Sequence, residues 1–234
     1  LNPALLNDPE NRKRLFSEGH LLSSFSHPNI LKVFEIGEAG ACGFIAMEFL
    51  TGGTLQQLLK NAFPLPKDDL QRFIFQVCDG LSEIHAHGVI HRDLKTANIM
   101  LDENRQVRIM DFGLSKSPLA TTTTTLGTVL GTLGYVAPEQ VTGLTVDQRV
   151  DIFSFGVVLY ELLTWQLPFK GENETAVIHS IFNFVPPAPS SLNPDVPVSM
   201  DRVVARCLAK NPDERFQSVK EVRVALEMEF GCHD

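Results

Sequence analysis

Apolar positions recur along this chain at two spacings, and the change from one to the other divides it into a short opening part and a long helical remainder. Asp8 to Phe25 sets Leu15, Leu22 and Phe25 at helical intervals with charges between them, which predicts a helix that Pro28 ends. Ile30 to Ile36 and Gly43 to Phe49 alternate or run apolar, as strands do, around a turn at Glu38-Ala39-Gly40. Gly52-Gly53 then breaks the chain, and Thr54 is placed to cap a short helix reaching Leu59.

Beyond that point the steps are mostly of three and four. Asp68 or Asp69 is expected to cap a long amphipathic helix carrying Leu70, Phe73, Ile74, Val77, Leu81 and Ile84, with Gly88 just past its end. Ile99 to Leu101 and Val107 to Ile109 predict a small hairpin bracketing Asn104. Ser115 to Thr132 is polar, Thr-rich and punctuated by glycine, a loop long enough to suggest function or disorder. Val150 to Leu163 is apolar nearly all round and predicts a buried central helix. A proline-rich connector from Pro186 to Pro197 leads to two last helices, Val198 to Ala209 and Ser218 to Glu229. The Leu-Gly-Thr doubling at Leu126 and Leu130 is too short to signal a repeat architecture.

Composition narrows the function classes. The 234 residues, 44% hydrophobic and 21% charged, suit one compact or two-lobed globular unit. Twenty basic against 28 acidic residues give a net charge of −8, the wrong sign for a nucleic-acid surface. No apolar run reaches the ~18–20 residues of a membrane span, since Val150 to Leu163 is short and carries Asp151 and Glu161. No signal peptide is apparent, and Cys42, Cys78, Cys207 and Cys232 are dispersed without metal-ligand spacing. Reduced, mostly buried thiols and a cytoplasmic location are the expectation, either alone or as the cytoplasmic part of a longer membrane-anchored protein.

The chemistry is concentrated in three ordered motifs. His91-Arg92-Asp93-Leu94-Lys95-Thr96-Ala97-Asn98 comes first, Asp111-Phe112-Gly113 second, and Ala137-Pro138-Glu139 third, preceded by Gly131-Thr132 and Tyr135. Any one tripeptide such as Asp-Phe-Gly recurs by chance; the ordered set with this spacing does not. The chain resembles eukaryotic-like, bacterial-type Ser/Thr protein kinases over essentially its whole length. The resemblance implies an α+β, protein-kinase-like fold, with a partial N-terminal lobe (one helix plus two strands, then the hinge) over residues 1–50. A complete, mainly helical C-terminal lobe follows over residues 51–234. The sequence departs from the family in having no Gly-rich loop and no Val-Ala-Ile-Lys type strand lysine, so it reads as N-terminally truncated.

Phosphoryl transfer needs an oriented hydroxyl, metal at the phosphates and charge compensation. Asp93 is the candidate to orient the substrate hydroxyl and accept its proton, and Lys95 to stabilise the transferring charge. Asn98 and Asp111 are hard oxygen donors suited to Mg²⁺, with Mn²⁺ as an alternative ion, and Gly113 frees the adjoining turn. By resemblance, ATP would meet the backbone of Glu48 and Leu50 at a hinge gated by Met47, with Met100 beneath the adenine. Glu18 matches the glutamate that pairs with the absent lysine. Leu22, Val33, His91 and Phe112 match a hydrophobic stack between the lobes.

By resemblance, Arg92 implies control by a phosphorylated loop, where a guanidinium can grip a phosphothreonine bidentately. The candidate acceptors are Thr121, Thr122, Thr123, Thr124, Thr125 and Thr128. The resemblance also implies that Thr132, Asp151, Glu139 and Arg215 are structural, Asp151 tying down the catalytic loop and Glu139 pairing with Arg215. Lys95 after Asp93, with Gly131-Thr132 ahead of Tyr135, favours Ser/Thr acceptors, and Ala97 gives no argument for an arginine-directed consensus. Protein substrates are implied, with self-association or trans-autophosphorylation, and the truncated chain is expected to be nearly inactive alone. The alternative is a non-catalytic, pseudokinase-like interaction module in which the lysine is natively absent. A small-molecule phosphotransferase of related fold is disfavoured by the Ala-Pro-Glu segment.

Overall fold

The computed structural model describes residue 23 and residues 25–39, 42–61, 64–111 and 132–231. The predicted helix from Asp8 to Phe25 lies almost wholly outside the described residues, as do Glu18, Leu22, Phe112, Gly113 and all six candidate threonines.

Strands β1 (Val33–Ala39) and β2 (Cys42–Met47) form an antiparallel pair, in register from Val33 opposite Met47 to Ala39 opposite Cys42, with an irregularity between Val33 and Glu35. β1 therefore begins and ends three residues later than the pattern predicts. The reason is a competing partner. Ile109 donates its amide to the Asn29 carbonyl at 2.9 Å and accepts the Leu31 amide at 2.9 Å, so residues 29–31 lie as a parallel bridge along another sheet. That sheet is the hairpin β3 (Ile99–Leu101) and β4 (Val107–Ile109), at the predicted positions.

Between the two sheets runs the short helix α1 (Leu55–Asn61), whose start is a reciprocal cap. Gln57 donates its amide to Thr54 Oγ1 at 3.2 Å, and its side-chain oxygen accepts the Thr54 amide at 2.8 Å. Gly52 donates to the Leu101 carbonyl, and a Cβ there would stand 2.6 Å from the Leu101 and Asp102 carbonyls, so no larger residue fits. Helix α2 (Lys67–Ala86) buries Phe73, Ile74, Val77, Leu81 and Ile84, the face the periodicity marks. Its start corrects the expected cap: Pro66 precedes it, no side chain caps it, and Asp68 and Asp69 stand inside the first turn. There they face the positive end of the helix dipole, and Asp69 pairs with Arg72 at 2.5 Å and Arg105 at 3.1 Å. Gly88, at φ +74°, reverses the chain just beyond the helix.

The rest is helical: α3 (Pro138–Val141), α4 (Arg149–Thr164), α5 (Glu174–Asn183), α6 (Pro189–Leu192), α7 (Val198–Cys207) and α8 (Val219–Gly231). α4 is buried on every side except at Arg149 and Glu161 and forms the axis of the core. α8 packs on α2 through Phe230 against Phe75 and through Arg223 to Asp79 at 2.6 Å. Cys78 and Cys207 are buried free thiols, and burial pushes Cys207 up to about 12 and Cys78 in the same direction. Among the described residues no helix is long and apolar enough to cross a membrane. Two small sheets above and a helical body below match the α+β expectation.

Candidate active site

The site is built around a segment with no regular structure until the 3₁₀ turn at Thr96–Asn98, so its shape must come from side chains. Asp151, fully buried in the first turn of α4, supplies the anchor. Its Oδ2 accepts the His91 amide and its Oδ1 the Arg92 amide, both at 2.8 Å, and His85 Nε2 meets Oδ2 at 2.7 Å. These bonds hold Arg92 at φ +66°, a conformation that costs an L side chain about 1–2 kcal/mol. Charge-assisted bonds to one carboxylate offset that cost.

His91 is buried and doubly bonded. Its Nε2 donates to the Met110 carbonyl at 3.1 Å while its Nδ1 accepts the Asp93 amide at 3.2 Å. Both contacts fit only the neutral Nε2–H tautomer, and burial, above all other influences, lowers its pKa. His91 is thus a spacer between Asp93 and Met110 and has no free ring nitrogen for acid–base work.

Asp93, Lys95 and Asn98 converge. Lys95 Nζ donates to Asp93 Oδ2 at 3.0 Å and reaches Thr132 Oγ1 at 3.4 Å. Asn98 Nδ2 donates to the Asp93 carbonyl at 2.8 Å and to Asp93 Oδ2 at 3.1 Å. With its amide nitrogen so engaged, Asn98 presents Oδ1 outward, and no partner for that oxygen is found among the described residues. Asp111 follows Met110, whose amide is held by the Asn98 carbonyl at 3.0 Å, and stands at φ +58° with an exposed side chain. One side of Asp111 is open to water, yet enough protein surrounds its carboxyl that desolvation raises its pKa. The charge of Asp93 acts in the same direction, and Lys95 opposes it.

Among the described residues no three His, Cys, Asp or Glu side chains cluster about a metal. Two outward oxygens, from Asn98 and Asp111, are nevertheless the number a Mg²⁺ needs from protein when phosphates and waters complete its shell.

At the other edge, the Glu48 carboxylate accepts the Lys32 amide at 2.8 Å and lies 3.5 Å from Arg108 Nε, while Arg108 also bonds the Pro28 carbonyl and pairs with Asp102 at 3.2 Å. The Glu48 side chain is thereby committed, and the Glu48 amide donates to the Lys32 carbonyl at 2.9 Å. Met100 bridges to Thr54 on the adjoining stretch of sheet. On the opposite flank, Arg215 donates to Glu139 at 2.7 and 2.9 Å and to the carbonyls of Ala209, Arg149 and Lys210. Its side chain has 0% exposure. Gln140 Nε2 reaches the Arg92 carbonyl at 3.1 Å, and Arg92 Nε is buried without a hydrogen-bond partner among the described residues.

Two contacts escaped sequence reasoning. One is the Glu48–Arg108 tie, for which the pattern carries no signal. The other joins Thr96, Tyr135 and Glu161; here a carboxylate near the end of a long apolar stretch of helix was the signal. Two cavities among the described residues, of about 360 Å³ beside His85 and about 300 Å³ beside Lys32 and Glu48, are lined by none of Asp93, Lys95, Asn98 and Asp111.

A fold of this kind, carrying these motifs, defines a kinase-type domain. The chain belongs to the protein kinase domain family, whose model matches residues 5–228. It is 38% identical over 232 residues to the serine/threonine-protein kinase PknB of Mycolicibacterium smegmatis, covering 97% of this chain and 37% of that protein. The serine/threonine-protein kinase pkn3 of Myxococcus xanthus is 37% identical over 239 residues, covering 97% and 44%. The probable PknB of Lactococcus lactis is 34% identical over 216 residues, covering 92% and 34%. The chain spans less than half the length of these curated relatives.

Proposed function

We propose that this chain is catalytic sequence of a Ser/Thr protein kinase, transferring the γ-phosphoryl group of ATP to serine or threonine hydroxyls of protein substrates. Residues 1–50 belong to its upper lobe and hinge and residues 51–234 to its lower lobe. The observation that carries the reading is Lys95, its ammonium set between Asp93 and Thr132 while Asn98 pins Asp93 from the other side.

Asp93 orients the acceptor hydroxyl and takes its proton late in transfer. Lys95 does two things: it keeps Asp93 from swinging away, and it places a positive charge where the transferring group becomes more negative. Asn98 Oδ1 and Asp111 would hold Mg²⁺ or Mn²⁺, which supplies charge neutralisation at the phosphates. The backbone of Glu48 and Leu50, with Met100, would take the adenine, and Glu18 would pair with the lysine of a preceding strand. Arg92, whose Nε lacks a partner among the described residues, would read a phosphate on Thr121, Thr122, Thr123, Thr124, Thr125 or Thr128. Thr132, Asp151, Glu139 and Arg215 are scaffold. Exposed Phe34 and Phe44 on the β1–β2 pair support self-association for trans-autophosphorylation, and a cytoplasmic site fits the buried free thiols.

The test is the full-length protein with Mg²⁺, labelled ATP and dephosphorylated casein, followed by phosphoamino-acid analysis. Label on serine or threonine, lowered about 10²–10⁴-fold by Asp93→Asn, is expected. Transfer that survives Asp93→Asn, or none from the wild type, overturns the reading; the second result returns the chain to the interaction-module alternative.

A further inference from the structure

Thr96 lies between Lys95 and Asn98 yet turns away from both of them. Its buried hydroxyl stands 3.0 Å from the Tyr135 phenol oxygen and 3.1 Å from Glu161 Oε2, and the Tyr135 hydroxyl donates to that same Oε2. Three oxygens from three elements thus meet: the Asp93 loop, the segment after the Thr-rich loop, and the central helix α4.

We propose that Thr96 is a positioning residue for Asp93 and Lys95, its hydroxyl fastening their loop to Tyr135 and, through Glu161, to α4. The inference rests on the kinase reading above and adds to it a residue that none of the three motifs required.

The contact is selective for a hydroxyl. An ionised Glu161 accepts both hydroxyl protons at one oxygen, and a protonated one closes a ring in which each of three groups donates once. Burial raises the pKa of Glu161, with Tyr135, Thr96 and Lys60 acting against it. Either arrangement uses the Thr96 proton, and a methyl in its place leaves Oε2, or in the ring the Tyr135 oxygen, one donor short. The placement matters as much. Lys95 and Thr96 are consecutive and reach Thr132 and Tyr135, so a charged rung and a neutral rung join the same two segments side by side. Gln140 to the Arg92 carbonyl is a third tie, at the far end of the loop. With the Thr96 rung gone, Lys95 must hold the segment and orient Asp93 at once. Ser154, which donates to the Tyr135 carbonyl at 2.8 Å, keeps Tyr135 in place, so the fault is confined to the loop.

Thr96→Val keeps the shape and removes the hydroxyl; Thr96→Ser keeps the hydroxyl. In the full-length protein, with casein and Mg-ATP, Thr96→Val is expected to lower kcat about tenfold while KM for ATP stays within about twofold. Thr96→Ser should restore kcat to within about twofold, and adding Tyr135→Phe to Thr96→Val should lower it little further, because partners in one contact are non-additive. Hydrogen exchange across Leu94 to Asn98 should quicken about tenfold in the valine variant and not in the serine variant. Wild-type kcat in Thr96→Val, or equal loss in both variants, overturns the proposal. A wild type that transfers no phosphate overturns the kinase reading alone, and unchanged exchange in Thr96→Val then overturns the Thr96 tie by itself.

Discussion

Asp151 and Arg92 are joined across the fold by one short bond: Asp151 Oδ1 accepts the Arg92 amide at 2.8 Å and keeps that residue left-handed. Fifty-nine residues separate them, so the loop that carries Asp93 takes its conformation from the central helix rather than from its own sequence. Asp151→Asn keeps the shape but can turn only one oxygen to two amides, and brings an N–H₂ against a donor. A loss of about 2–4 kcal/mol in urea unfolding is expected. Phosphotransfer at a temperature where the variant is still folded should fall at least about tenfold as the loop relaxes.

Glu139 and Arg215 should behave as a buried pair whose halves are worse alone than absent together. Arg215→Met strands the Glu139 carboxylate and Glu139→Leu strands the guanidinium, and each is expected to cost about 3–5 kcal/mol by denaturant titration. The double variant should recover a large part of either loss; a cost equal to the sum of the two would show that they do not act as a pair.

Lys210 gives the chain an alkaline signature. Its ammonium lies 4.0 Å from the Phe169 ring centre and 5.9 Å from that of Phe153, and desolvation, then Arg215, brings its pKa down to about 8. Below that value lysine is protonated folded and unfolded, and the folded state bears the full penalty. Between about 8 and the model-peptide value near 10.4 the unfolded chain binds more protons, so this group makes stability rise with pH. The residue is only partly buried and its ring contacts favour the cation, so the gain is on the order of 1 kcal/mol. In chemical denaturation the stability of the wild type relative to Lys210→Met should rise from pH 7.5 to 10, the two proteins sharing the opposing effect of the buried Cys78 and Cys207 thiols, and Lys210→Met should be the more stable of the two at pH 7.

Asn98 and Asp111 can be separated from Asp93 by binding alone. In the full-length protein, Mg-ATP at about 100 times its dissociation constant should add about 2.7 kcal/mol to stability, read as a rise in Tm. Asp111→Asn should remove the part of that rise that EDTA removes from the wild type, with the midpoint without nucleotide no lower than the wild type's, since desolvation disfavours the Asp111 charge in the folded state. Asp93→Asn should keep it.

The hairpin at Ile99–Leu101 and Val107–Ile109 and the central helix were legible because each is written in a run of neighbouring residues. The contacts of Asp151 with the Asp93 loop and of Glu139 with Arg215 are long-range, and only the resemblance pointed to them. What stayed hidden depends on which of two partners wins. Ile30 and Leu31 look like the start of β1, but the open edge of β4 takes them. Asp68 looks like a cap, but the helix already starts at Lys67. Thr96 has no pattern of its own; its role is set by Tyr135 and Glu161, far along the chain.

The attachment of residues 29–31 to Ile109 bears on how this protein can be cut. A fragment begun at residue 51, where the two lobes divide by sequence, would leave a vacant strand position beside β4, with the Ile109 N–H and C=O both searching for new company. Such a fragment should precipitate or pair with itself. One begun ahead of Phe25 carries its own edge cover and the buried Phe25 ring, and side-by-side light scattering of the two would show where the lower body of this kinase domain begins as a physical object.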